Sequence, residues 1–355
     1  MKLYQSRVCM SLIAALTIFG CKKSTSAPEK SAAPQGPAPQ VAPVAPGTEG
    51  VCVGPIASGE TTKVKIGGQT WEKSGSTLRW ADGSKAKALT VGLVSDIKED
   101  SEDNKANLQQ IHDWFKTQKV DMIINVGDTG ENANQIVNAL SILAELPVPL
   151  FNIMGNRESQ ADYAKAMKTL AAKFSNVFDL SVVRRVATPF ADFVSMPGYY
   201  DAKYIHAAGG CQYHQADLDA IQAAVKDATV PVVLVSHGPP KMTGEQGLDL
   251  TPDKGHVGDP ALAATIQADK IAFGIFGHIH EAGGHATDLT GEKKFDANKP
   301  YESFYMNPGP ADALKWKLND KSDSYGMAGV VVFASGKAHY NIHRLKPAAK
   351  KKAKK

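Results

Sequence analysis

The sequence predicts an α/β protein built on a mostly parallel sheet. From Leu89 onward, short apolar runs alternate with segments whose apolar residues recur at helical spacing. The series begins strand, helix, strand, helix, strand, helix, and parallel neighbouring strands need such crossover helices. The apolar runs are nearly continuous, which is typical of strands that are covered on both faces.

Each element follows from its local pattern. Residues Leu89 to Ser95 form an apolar strand, and Leu108, Ile111 and Phe115 then lie on one face of a helix. The same criteria predict strands at 122–126, 150–154, 232–235, 271–276, 303–306, 330–334 and 338–343, and helices near 132–145, 159–172 and 215–227. The stretch between the last two helices shows no regular pattern and is expected to be irregular.

The N-terminal residues predict export. A basic start is followed by an apolar run from Met10 to Phe19, which is too short to span a bilayer, so residues 1–20 are interpreted as a signal peptide. The run ends in Ile18-Phe19-Gly20-Cys21, which resembles a bacterial lipobox. We therefore expect lipidation of Cys21 and a periplasm-facing lipoprotein of the cell envelope, anchored in the outer membrane. Ordinary signal cleavage nearby is the alternative.

Composition divides the remaining chain. Residues 22–50 are rich in Pro and Ala and predict a linker. Residues 51–88 contain alternating runs that predict a short β-hairpin or meander, and the main domain is expected at 89–345. The tail, 346–355, holds six lysines, and removing their charges from the net +4 leaves −2. The basic character therefore belongs to a solvated tail, and no specific nucleic acid binding is expected.

Two cysteines lie in the part of the chain that is expected to fold, namely Cys52 and Cys211. An oxidising compartment permits a disulfide between them. Spacing alone does not show that they meet, so the sequence leaves their pairing open.

Metal-seeking side chains follow the main predicted strands in order. Ligands in an open α/β sheet bind beyond the carboxyl ends of the strands, so these groups are expected to converge. A Gly-Asp turn or a single histidine is usually structural, but two imidazoles two residues apart after a strand favour a metal. Oxygen and imidazole donors suit divalent Mn, Fe, Zn or Co. The candidate ligands are Asp96, Asp128, Asn156, His237, His278 and His280.

This ordered set resembles the calcineurin-like metallophosphoesterase superfamily, whose pattern runs D-x-H, GD, GNH, H and GHxH. The resemblance covers residues 89–345 and implies a two-sheet β-sandwich flanked by helices. It also implies two metal sites that share Asp128. By position, Asn156, His237 and His278 would complete one site, and Asp96 and His280 would belong to the other.

The resemblance implies a metallophosphoesterase that hydrolyses phosphomonoesters or phosphodiesters with a metal-bound hydroxide. Asp128, Asn156 and Arg157 are the catalytic candidates. The implied partners are a phosphorylated small molecule or a phosphodiester, and a membrane reached through the N-terminal lipid.

The family pattern is broken at two positions, and in both a cation replaces histidine. The D-x-H motif reads Asp96-Ile97-Lys98, and an ammonium has no lone pair for a metal. Glu99 or Asp100 is the alternative candidate for this ligand position, but their charged run is more typical of a solvated loop. We therefore expect one well-formed metal site and a second, weakened one. The GNH motif reads Gly155-Asn156-Arg157, and arginine cannot protonate a leaving group.

These two replacements leave a second function open. A non-catalytic lipoprotein would keep the fold and bind one metal, or a phosphorylated ligand through Lys98 and Arg157. The six remaining candidate ligands favour the impaired or specialised enzyme over a fold without any site.

Overall fold

The computed structural model describes residues 51–346. The predicted signal peptide, the lipidation site Cys21, the linker to residue 50 and residues 347–355 of the tail lie outside the described residues, so these assignments stay predictions. Among the described helices, none has the length and apolar character that a membrane span requires.

The described residues form five α-helices and twenty strands. The helices are α1 (Glu102–Gln118), α2 (Ala133–Ala144), α3 (Gln160–Lys173), α4 (Gln215–Val225) and α5 (Pro260–Ala268). The strands are β1 (Thr61–Ile66), β2 (Gln69–Ser74), β3 (Thr77–Trp80), β4 (Leu89–Val94), β5 (Met122–Asn125), β6 (Leu150–Asn152), β7 (Val177–Asp179), β8 (Arg185–Ala187), β9 (Asp192–Met196), β10 (Val232–Ser236), β11 (Leu250–Thr251), β12 (Gly255–His256), β13 (Phe273–Ile275), β14 (His285–Thr287), β15 (Lys294–Phe295), β16 (Phe304–Asn307), β17 (Trp316–Lys317), β18 (Asp323–Ser324), β19 (Met327–Ala334) and β20 (Lys337–Arg344).

Two large sheets pack face to face. One has six strands in the order β20-β19-β4-β5-β6-β7, and the other has ten in the order β1-β2-β3-β8-β9-β10-β13-β16-β14-β15. Buried apolar side chains from both sheets form one core between them. Phe193 of β9 meets Phe333 of β19 edge to face, with ring centroids 5.6 Å apart. This is the two-sheet β-sandwich that the family resemblance implies.

Helices cover the outer faces of the sandwich. The apolar faces of α1, α2 and α3 pack in a second core that includes Ile123 of β5 and Leu150 of β6. Helices α4 and α5 pack in a third core with Val194 of β9 and Leu234 of β10. The central parallel strands of each sheet are thus covered on both faces, which explains their continuous apolar runs.

Strands β4, β5 and β6 are parallel neighbours, as are β9, β10 and β13. The loops that leave the first group pass into helices that start at polar caps. Ser101 caps α1, Asn132 caps α2 and Ser159 caps α3, each accepting a backbone N–H of the first turn. These caps define where each helix begins. They therefore restrict the conformation of the loop that follows each strand.

The predicted elements between Leu89 and the last strand are present, with bounds that differ by up to three residues. The expectation of an irregular stretch after α3 is wrong, because β7, β8 and β9 lie there. Strands of three residues are too short to display an alternating pattern. The predicted meander is present as β1–β3, and β3 continues into the large sheet by pairing with β8. The domain boundary at residue 88 remains a prediction.

Cys52 and Cys211 form a disulfide, which is the pairing that the sequence left open. The bond links the first described residues to the loop that precedes α4, across 159 residues of sequence. Cys211 is fully buried in the core beside α2 and α3.

The disulfide gives a prediction about stability. Replacing both cysteines with alanine should lower the free energy of unfolding by about 2–5 kcal/mol, because a long loop in the unfolded chain is no longer closed. Thermal unfolding with and without a reductant measures this. The reductant should lower the melting temperature of the wild type and leave that of Cys52→Ala/Cys211→Ala unchanged; an equal response of both proteins would contradict the prediction.

Candidate metal centre

The candidate ligands lie where strands of both sheets end. Asp128 and Asn156 follow β5 and β6 of the six-stranded sheet, whereas His237 and His278 follow β10 and β13 of the ten-stranded sheet. Asp128 has φ of 53° and His278 has φ of 65°, in the left-handed region that few residues other than glycine adopt. These sharp turns direct the two side chains towards each other instead of continuing the strand.

Four of the predicted ligands converge. Asp128, His237 and His278 each present one ligand atom, and these atoms all lie within 4.8 Å of one another. His237 Nε2 is 3.2 Å from Asp128 Oδ1. Asn156 Oδ1 lies 2.8 Å from His237 Nε2 and 3.1 Å from His278 Nδ1. Two atoms that share a cation at ~2.0 Å in a tetrahedral arrangement are about 3.3 Å apart, so these separations fit a metal site.

The direction of the hydrogen bonds shows that the site needs a positive charge. The Nδ1 atom of His237 lies 2.8 Å from the Val126 carbonyl oxygen, so Nδ1 carries the proton and donates it. In the neutral ring, Nε2 is then a lone pair that faces two further acceptors, Asp128 Oδ1 and Asn156 Oδ1. Such an arrangement is repulsive unless a proton or a cation lies among the three atoms. A backbone partner on the other ring nitrogen is also the usual support of a histidine that binds metal.

Asn156 is oriented by its surroundings. Its Nδ2 donates to the Tyr204 carbonyl at 2.5 Å, which turns Oδ1 towards the two imidazoles. The backbone N–H groups of Asn156 and Arg157 donate to Asp128 Oδ1 at 3.0 and 3.1 Å. Gly155 is required beside them, because a Cβ there would lie 2.3 Å from Asp128 Oδ1.

The pKa values of the two imidazoles move in opposite directions. Burial lowers the pKa of His237, but the adjacent Asp128 carboxylate outweighs burial and raises it to about 9. Burial lowers the pKa of His278 to about 3, and the positive charge of His237 adds to that effect. His278 therefore offers a free lone pair at neutral pH, whereas a divalent cation must displace a proton from His237.

Glu158 is a buried residue that connects the two loops carrying Asp128 and Asn156. Its buried carboxylate accepts the backbone N–H groups of Thr129 and Gly155 and so joins the loops after β5 and β6. Burial, and then the charge of Asp128, raise the pKa of Glu158 to about 7. Glu158 has no predicted role, because a single glutamate after a motif carries no sequence signal of its burial.

The other two predicted ligands lie next to this group and contact each other. His280 Nε2 is 3.2 Å from Asp96 Oδ1. Asp96 Oδ2 accepts the Ser95 hydroxyl at 2.6 Å and the backbone N–H of His278 at 3.1 Å. The third position of this set is Lys98, whose ammonium lies 2.9 Å from Asp312 Oδ2. The structure thus assembles one complete ligand group and one pair that has a lysine in place of the missing histidine.

Arg157 lies at the rim of the ligand group and forms an ion pair with Glu131. The Arg157 side chain is 25% exposed and that of Glu131 is 63% exposed, so the pair is accessible to a ligand from solvent. Neither Glu131 nor Asp312 belongs to a motif, so no sequence signal points to either residue.

The chain belongs to the family described as calcineurin-like phosphoesterase, whose model matches residues 89–282, more than half of the chain. Membership confirms the resemblance and the fold class that the motifs predict. It also places the chain, in general terms, among metal-dependent phosphoester hydrolases. A comparison with curated proteins gives no match.

A comparison with solved structures gives matches at low sequence identity. One crystal structure is 15% identical with a TM-score of 0.51, and the match covers 73% of this chain and 100% of the other. A Thermus thermophilus protein is 11% identical with a TM-score of 0.46, covering 67% and 98%. A dimetal phosphatase from Danio rerio is 11% identical with a TM-score of 0.45, covering 74% and 100%.

A pair of histidine variants tests the ligand group. His278→Gln removes a nitrogen ligand and should weaken the binding of Mn²⁺ at least about tenfold, or ~1.4 kcal/mol. His256→Gln is the matched control, because His256 bonds Asp249 at 2.8 Å in a separate loop. Isothermal titration calorimetry of both variants measures the affinities, and equal affinities would remove His278 from the site.

Proposed function

We propose that the chain hydrolyses phosphomonoesters or phosphodiesters with a divalent cation held by Asp128, Asn156, His237 and His278. The observation that carries this proposal is the facing lone pairs of His237, Asp128 and Asn156, which need a positive charge among them. Mn, Fe, Zn and Co are the cations that this donor set suits. In this proposal the first site is intact and the second, at Asp96 and His280, is weakened.

A bound cation would supply Lewis acidity and lower the pKa of water towards neutrality. The residues of this chain do the positioning. Asp128, held by two backbone N–H groups, and Asn156, held by the Tyr204 carbonyl, keep fixed orientations without help from a ligand. Preorganised groups of this kind cost no reorganisation during the reaction.

Arg157 is the proposed phosphate-binding group at the rim. Its planar guanidinium matches two phosphate oxygens, and a phosphate would replace Glu131 as its partner. An arginine side chain does not serve as the general acid for a departing alkoxide. The preferred substrates are therefore those whose leaving group needs no proton, such as aryl esters and phosphoanhydrides.

We also propose that the enzyme works at the cell envelope as a lipoprotein anchored through Cys21. The signal-like residues 1–20 and the lipobox-like Ile18–Cys21 support this location. The Cys52–Cys211 disulfide is consistent with it, because structural disulfides persist in oxidising compartments outside the cytosol.

A non-catalytic function is the second candidate. It is favoured by the two positions where family histidines are replaced, because each replacement cation already has a carboxylate partner, Asp312 for Lys98 and Glu131 for Arg157. In that case the protein would bind one metal or a phosphorylated ligand without turnover.

Metal content and turnover of the same preparation separate the two candidates. Purified protein with Mn²⁺ should contain metal and hydrolyse an aryl phosphomonoester or an aryl phosphodiester. A chelator should abolish the turnover, and added Mn²⁺ should restore it. Bound metal without turnover of either ester would favour the non-catalytic function, and the absence of metal would refute both the enzyme and the metal-binding alternative.

The leaving-group preference is a separate prediction. The wild type should hydrolyse phenyl phosphate about 100-fold or more faster than an alkyl phosphate, because general acid catalysis is worth roughly 10²–10⁴ and is missing here. Arg157→His should narrow this ratio by supplying an acid. Arg185→His is the matched control, since Arg185 pairs with Asp192 in β9, away from the ligand group. Equal rates for both esters in the wild type would contradict the assignment of Arg157.

A further inference from the structure

Lys98 has a fixed backbone position beside the ligand group. Its φ is 70°, and its backbone N–H donates to the Asp128 carbonyl at 2.8 Å. Lys98 belongs to the same turn as Asp96. The Lys98 backbone is therefore held next to Asp128, on the side where Asp96 lies. Lys98 is only 8% exposed, although lysine is among the residues that are rarely buried.

The ammonium of Lys98 is enclosed by two partners. It lies 2.9 Å from Asp312 Oδ2 and 3.9 Å from the ring centroid of Trp316. The contact with Asp312 is an ion pair without good hydrogen-bond alignment at Oδ2. Trp316 Nε1 donates to the other oxygen, Asp312 Oδ1, at 2.8 Å, so the indole both orients the carboxylate and covers the cation.

This enclosed pair differs from the other ion pairs of the described chain. The side chains of Lys98 and Asp312 are 10% and 1% exposed, and no other described pair of a lysine or arginine with a carboxylate has both partners so deeply buried. Removing two charges from water is costly, and a solvent-exposed pair would avoid that cost. A role specific to this place therefore explains the pair better than a general contribution to stability.

Its surroundings are the remaining ligands of the second site. The His280 ring packs on Trp316 with centroids 4.1 Å apart, and His280 Nε2 contacts Asp96 Oδ1 at 3.2 Å. Lys98 and His280 thus contact the same indole, and Lys98 and Asp96 share one turn. Lys98 occupies the sequence position of the third ligand, but its ammonium has no lone pair for a divalent cation between Asp96 and His280 and is paired with Asp312 instead.

We propose that Lys98, held by Asp312 and Trp316, removes a ligand from the second metal site and thereby fixes the stoichiometry at one divalent cation per chain. Asp312 and Trp316 are positioning residues in this unit. The inference rests on the proposed function in one respect, which is that the first ligand group holds a metal. Beyond that function, the inference assigns Lys98, Asp312 and Trp316 a role in setting the number of bound metal ions, and this role does not depend on turnover.

The test counts metal ions. Wild type, Lys98→His and the control Lys105→His are saturated with Mn²⁺, freed of excess metal and measured by mass spectrometry of metal and protein. Lys105 is a suitable control because it pairs with Glu102 on the exposed face of α1. One equivalent is expected for the wild type and the control, and two for Lys98→His. Electron paramagnetic resonance should show a spin-coupled Mn pair in Lys98→His alone.

A double variant keeps the test decisive if the single variant does not fold. Lys98→His leaves the buried Asp312 without its cation, which is strongly destabilising, so Lys98→His/Asp312→Asn removes both charges together. It should also bind two equivalents. Two equivalents in the wild type, or one in every folded variant, would overturn the inference and leave the proposed function intact. No metal in the wild type would instead refute the proposed function itself.

Discussion

The site depends on one electrostatic constraint, which is that acceptor atoms of both sheets face each other within hydrogen-bond distance. The Val126 carbonyl fixes one proton of His237 on the far ring nitrogen, so in the neutral ring the near nitrogen meets Asp128 and Asn156 as a lone pair. A buried group of acceptors is stable only with a positive charge among them. The Glu158 carboxylate joins the loops after β5 and β6, and the Tyr204 carbonyl orients the Asn156 side chain, so both contacts support that geometry.

The sequence predicted the fold well where elements are long. Strands such as β19 and helices such as α1 display a full period of apolar residues, so their patterns are clear. The failures, β7 to β9, are three to five residues long, and their pairing with distant strands decides their conformation. The pairing of β3 with β8, which adds β1–β3 to the ten-stranded sheet, could not be predicted either. The two strands are parallel and distant in sequence, so their pairing leaves no local signal.

The site was predictable to the extent that its residues belong to motifs. The candidate ligands that follow the strands could be proposed because strand ends and metal-binding residue types coincide in order. The residues that support or replace them could not. Asp312, Trp316 and Glu131 lie outside every motif, and only coordinates show that each one balances a charge or covers it. These charges are balanced by residues that are close in the folded structure but distant in sequence, so residue spacing does not predict the pairs.

The division of the ligands between the two sheets has a mechanical consequence. Asp128 and Asn156 belong to one layer of the sandwich, and His237 and His278 belong to the other. An ion coordinated by all four residues would cross-link the two sheets, so the sheets could separate only after the ion is released. Resistance to unfolding would then rise with the free metal concentration around the protein, and the ion would serve the architecture as well as the chemistry.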